Sequence, residues 1–172
     1  MLISAMKSFL LFFLLTAFSA CAQESLDGPN HIFHDELLDH LQGTWKATGP
    51  IRGHPAEVQV TAEWVLNHQF LHIHQKGISS PYEAEIYIGY DNTSDRYVAH
   101  WIDIYGGRFS ETLGYGTASG DHIPFVFEYP DGPFRNTFTW DAKSKSWRFF
   151  LETKDSAGNW KTFADQTAVK VP

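Results

Sequence analysis

Two hydrophobic periods divide the chain. Phe33, Leu37, Leu38 and Leu41 recur at helical spacing with acidic residues between them, and Gly43 ends the turn, which predicts one short amphipathic helix. From Gly43 onward the period is two, and turn chemistry returns about every ten residues, the rhythm of an all-β meander. The predicted strands are 43–49, 56–66, 69–76, 83–90, 96–105, 108–116, 122–129, 134–141, 146–154 and 159–171. Asn67-His68, 91–95, Gly106-Gly107, Ser119-Gly120-Asp121, Pro130-Asp131-Gly132-Pro133, Lys143-Ser144-Lys145 and Ser156-Ala157-Gly158-Asn159 suit tight connections. Links this short leave no room for crossover helices, so a parallel sheet is excluded. The expected fold is all-β: an antiparallel up-and-down barrel of roughly eight to ten strands behind one short N-terminal helix, wide enough to enclose a small ligand.

The segment before the helix has a different character. Residues 1–22 look like a signal peptide, with Lys7 as the positive region and an apolar run from Phe9 to Phe18 broken only by Thr16. That run is too short to span a bilayer as a mature helix. Phe18-Ser19-Ala20-Cys21 resembles a bacterial lipobox, with Phe18 where Leu is usual, so that Cys21 is the expected site of lipidation. Cleavage after Ala20-Cys21-Ala22 is the alternative, and it discards the cysteine. Both alternatives imply export, to the periplasm or cell envelope, with the lipid anchor making the membrane a partner. Residues 23–31 are polar and contain Gly and Pro, as a tether does, leaving 32–172 as a single barrel domain. Cys21 is the one cysteine of the sequence, so the domain holds by packing without a disulfide.

Charge narrows the partners. The chain carries −7, and −8 once Lys7 is cut away with the leader. A negative chain with no Lys/Arg cluster excludes nucleic acid as the expected partner. An aromatic content of 16% suits the filling of a barrel and its pocket.

Four pieces of sequence carry a family likeness: Gly43-Thr44-Trp45, Leu66-Asn67-His68-Gln69-Phe70-Leu71, Ile88-Gly89-Tyr90-Asp91 and Tyr97-Val98-Ala99-His100-Trp101-Ile102-Asp103. A helix followed by Gly-x-Trp and a meander resembles the calycin superfamily of lipocalins and fatty-acid-binding proteins. More closely, the chain resembles a family of bacterial secreted proteins known only as a lipocalin-like domain of unknown function. The resemblance implies that Trp45 closes one end of the barrel. Two departures stand out: His68 occupies a position where that family usually has Gly, and the last strand offers Lys161 and Lys170 where lipocalins place an Arg over the Trp.

Candidate chemistry is sparse. His72 and His74 share one face of a strand, with Glu63 across from them, a weak candidate metal site. A two-residue turn at Asn67-His68 sets Trp64 beside Leu71 and Ala62 beside Ile73, and this register turns the histidines outward. A four-residue loop at 92–95 puts Ile86, Ile88, Tyr90, Tyr97, Ala99, Trp101 and Asp103 on one inner face, and a Gly106-Gly107 turn adds Ser110 and Thr112. A shift of one residue turns Val98, His100, Ile102, Phe109 and Leu113 inward instead. The motif positions of Trp101 and Asp103 favour the first arrangement. The ligand-binding candidates are therefore Trp64, Tyr90, Tyr97, Trp101, Asp103, Ser110 and Thr112, facing a small, partly apolar molecule. Asp103 inside has a structural alternative, a rim carboxylate bonded to Ser110. Phe125, Phe127, Phe134, Phe138, Trp140, Trp147 and Phe149 read as core.

No catalytic signature and no cofactor requirement appear. The alternatives to a binding barrel are an isomerase- or cyclase-like barrel enzyme using Asp103 with His100 or Tyr97, a haem-binding barrel with one inward histidine, and a non-catalytic envelope interaction module. His100 and Asp103 have opposite parity on one strand, which argues against their acting together.

Overall fold

The computed structural model describes residues 33–172; the leader at 1–22, Cys21 and the tether at 23–31 lie outside the described residues. A single helical turn, α1 (Glu36–Asp39), precedes β1 (Gly43–Ile51), β2 (His54–Val65), β3 (Phe70–Gly77), β4 (Glu83–Asp91) and β5 (Arg96–Asp103). A second turn, α2 (Gly107–Ser110), leads into β6 (Leu113–Gly116), β7 (His122–Tyr129), β8 (Gly132–Asp141), β9 (Ser146–Lys154) and β10 (Trp160–Lys170). Every strand pairs antiparallel with its neighbours in the chain, and β1 pairs with β10, so the sheet closes into the expected barrel and leaves no free edge.

The strand registers follow the turn chemistry. Between β2 and β3, Trp64 faces Leu71, Ala62 faces Ile73, Glu63 faces His72 and Thr61 faces His74, as the alternation requires. The connection itself is four residues long rather than two, with Leu66, Asn67 and His68 all at positive φ. Between β4 and β5 the four-residue loop at 92–95 forms, pairing Tyr90 with Tyr97 and Ile86 with Trp101. The parity of β5 is thereby settled: Tyr97, Ala99, Trp101 and Asp103 point inward.

The strand expected over 108–116 is a correction. Gly106 turns through φ 84, and its carbonyl accepts from Phe109 N at 3.3 Å and from Ser110 Oγ at 3.1 Å, so the chain coils into α2 before β6 begins. Local donors satisfy the backbone there more cheaply than a ladder interrupted by two glycines. Ser110 and Thr112 are consequently not on the inner face of a strand.

Inside the barrel the alternation yields a core of Trp45, Val60, Leu71, Ile73, Ile86, Ile88, Phe125, Phe127, Phe138, Trp147 and Phe149. Gly114 makes room for it, since a Cβ there would lie 2.4 Å from the Phe127 ring. At Gly49, φ 149, a Cβ would lie 2.1 Å from the Asp165 carbonyl oxygen, so only glycine lets β1 approach β10 this closely.

Candidate functional site

The two ends of the barrel have opposite chemistry. At the helix end the sequence supplies its own stopper. Asp35 caps α1 by accepting from Leu38 N at 2.8 Å, and its other oxygen accepts from the Tyr97 hydroxyl. Leu38 and Leu41 are fully buried, and the Trp45 indole N–H donates to the Leu41 carbonyl at 2.7 Å. Trp64 donates to Asp39 at 2.7 Å, and Tyr90 donates to Asp95. Phe33 occupies the space these rings enclose, 5.5 Å from both Trp64 and Tyr90 and 6.3 Å from Tyr97. Three of the seven candidate ligand residues therefore pack around the chain's own phenylalanine.

His68 completes this end. Its ring stacks on Trp64 at 4.2 Å and its Nδ1–H donates to the Phe33 carbonyl at 2.7 Å, contacts a glycine cannot make. Lys170 stands 5.3 Å from the centroid of Trp45, so a cation of β10 does cover that indole although it is not an arginine. Beside it an open cleft of about 510 Å³ runs between His40, Trp45, Trp140, Lys145 and Lys170.

The opposite end holds Trp101 and Asp103. Asp103 Oδ1 accepts from Tyr105 N at 2.9 Å, and the Trp101 indole lies near both this carboxylate and the Tyr82 phenol. Burial raises the Asp103 carboxyl above its usual range, against the smaller opposing pull of the Tyr105 and Trp101 donors. Burial and the neighbouring Asp103 push the Tyr129 phenol up to about 12, and raise that of Tyr82 as well. Among the described residues no Lys or Arg pairs with Asp103. Tyr82 also lines an open cleft of about 630 Å³ formed by Gly49, Ile51, Ala56, Val58, Ser79 and Ser80.

Three amides continue the polar character inward: Gln75, Asn136 and Gln166, all buried at inward positions of β3, β8 and β10. Asn136 Oδ1 and Gln166 Nε2 have no hydrogen-bond partner. These amides, with Tyr82 and Tyr129, escaped the sequence reading, although a polar residue at inward parity between apolar ones was a usable signal. Ser110 is on α2, where its carbonyl accepts from His100 Nε2 at 2.8 Å, and Phe109 beside it packs against Tyr129 at 6.0 Å. His100 thus faces away from Asp103, and the two form no acid–base pair.

On the outer wall His72 pairs with Glu85, and His74 with Glu83 at 2.8 Å, while Glu63 stays 4.0 Å from His72. Among the described residues no group of three or more His, Cys, Asp or Glu is placed to hold a metal ion. His54 is exposed at the first residue of β2, and the other described histidines sit at the helix end, in connections or on outward positions, so no described imidazole is buried inside the barrel.

No curated protein matches the chain. Among solved structures, a redesigned beta barrel aligns over 78% of this chain and 94% of its own at 16% identity and a TM-score of 0.33, too slight a likeness to bear on function. A family model described as "Protein of unknown function (DUF1579)" matches residues 33–168, from the phenylalanine that stoppers the barrel to the last buried alanine of β10. The chain belongs to that family.

Proposed function

We propose that this barrel binds a small, partly apolar molecule from the end away from α1, with Trp101, Asp103, Tyr82 and Tyr129 at the mouth and Gln75, Asn136 and Gln166 deeper in. One observation carries the reading: Asn136 Oδ1 and Gln166 Nε2 are buried at inward positions of β8 and β10 without hydrogen-bond partners. Leaving such atoms unpaired costs about 1–3 kcal/mol each, and a ligand offering a donor and an acceptor removes that cost. The likeness of Gly43-Thr44-Trp45 and the meander to lipocalin-type barrels supports the same reading. Trp64, Tyr90 and Tyr97 then serve as the stopper, and the ligand belongs to the other end. Export, and anchoring of the barrel through Cys21, complete the proposal and rest on the leader sequence.

The test is native mass spectrometry of protein purified gently from a bacterial extract, paired with thermal shifts against a panel of small amphiphiles. A retained small molecule, lost in Asn136→Leu and Gln166→Leu while both variants stay folded, is the expected result. An empty barrel that no panel member stabilises sinks the reading.

A further inference from the structure

The cluster at the open end carries information about ligand charge. Asp103 is a half-buried carboxylate with no Lys or Arg partner among the described residues, and three aromatic groups attend it: Trp101 two residues back on the same inner face, Tyr82 before β4, and Tyr129 at the end of β7. Ala84 pairs with Asp103, which brings the residues before β4 to the carboxylate. A chain of net charge −7 also draws cations toward such a mouth.

A half-buried carboxylate flanked by aromatic groups repels an anion and gains less from a neutral alcohol than from a cation. It suits a positive charge, which gains both the Coulombic contact and the electron-rich ring faces. We infer that the ligand is an organic cation, an ammonium group on a small apolar body, whose charge sits against Asp103 and whose alkyl groups face Trp101, Tyr82 and Tyr129. This rests on the ligand-binding reading above and gives it a substrate class. The phenols facing Asp103, Tyr82 and Tyr129, are both raised and stay neutral through the neutral range, so Asp103 is the group whose titration governs binding. A cation stabilises the ionised carboxylate, and affinity therefore falls as the pH drops and Asp103 takes up its proton.

Three probes sharing one ring distinguish the possibilities: benzyltrimethylammonium, benzyl alcohol and benzoate, titrated by tryptophan fluorescence and calorimetry against the full chain. The expected result is saturable binding of the ammonium alone, weakened roughly tenfold or more in Asp103→Asn, weakened several-fold in Tyr129→Leu, and declining at acidic pH. Circular dichroism and thermal melting confirm that each variant is folded. Equal or tighter binding of the alcohol or of benzoate, or ammonium binding unchanged in Asp103→Asn, overturns the cation assignment and leaves a binding barrel standing. Failure of all three probes, with no shift from the wider amphiphile panel, overturns both.

Discussion

At the scale of the residue, the same inward parity gives different side chains opposite fates. Tyr97 and Asp103 lie on one face of β5, yet Tyr97 is locked to Asp35 in the stopper while Asp103 stands at the other end of the strand beside Trp101 and Tyr82. The raised carboxyl of Asp103 has a consequence for stability. Its folded value lies above the unfolded one, about 3.9, so over that interval the native state holds a proton that the unfolded chain has released. Stability contributed by the protonated form is complete below the unfolded value and is lost as pH rises through the folded value. Asp103→Asn keeps an oxygen for the Tyr105 N–H and removes the charge. Urea denaturation across pH is expected to show the variant matching the wild type in acid and exceeding it at neutral pH; a variant less stable at neutral pH contradicts the burial argument.

At the scale of the element, α1 is far too short to stand as a helix by propensity. It persists because Leu38 and Leu41 enter the barrel and because Asp35, Asp39 and the Trp45 indole tie its backbone and flanks to β1, β2 and β5. Leu38→Ala is expected to cost about 2–5 kcal/mol in urea unfolding, the range for emptying a fully buried leucine site. A loss below 1 kcal/mol, notwithstanding the burial, would mean that the stopper folds independently of the barrel. The three consecutive left-handed residues at 66–68 are explained at this scale too. His68 holds the residues before α1 by its stack on Trp64 and its bond to Phe33, and this contact offsets a backbone conformation that favours glycine. Opposite the stopper, the Arg108–Asp131 pair at 2.7 Å ties α2 to the connection between β7 and β8; it is solvent-exposed and contributes little to stability.

At the scale of the whole molecule, the expected addition to the barrel is the lipid on Cys21. Cys21→Ala in a bacterial host is expected to move the protein from the membrane pellet to the soluble fraction and to abolish palmitate labelling; unchanged pelleting and no label in the wild type refute the anchor. The sequence by itself determined the barrel, because an alternating pattern with short polar links admits only antiparallel neighbours, and it determined the parity of β2 and β3, where a shift of one residue would expose an entire apolar face; the parity of β5, which periodicity left between two arrangements, was decided by the register of β4 and β5. It also made Trp45 an end residue, and β10 does cover it with Lys170. It did not determine which inward aromatics are free. Trp64, Tyr90, Tyr97 and Trp101 have the same composition and the same periodicity. Only tertiary closure, which brings Phe33 from before the first strand into the ring formed by β2, β4 and β5, makes Trp64, Tyr90 and Tyr97 part of a filled end. The same holds for Asp103 and the amides: a strand's period says that a polar group faces inward, but whether a partner reaches it depends on side chains from strands far apart in the chain, and those distances exist only after the barrel has closed.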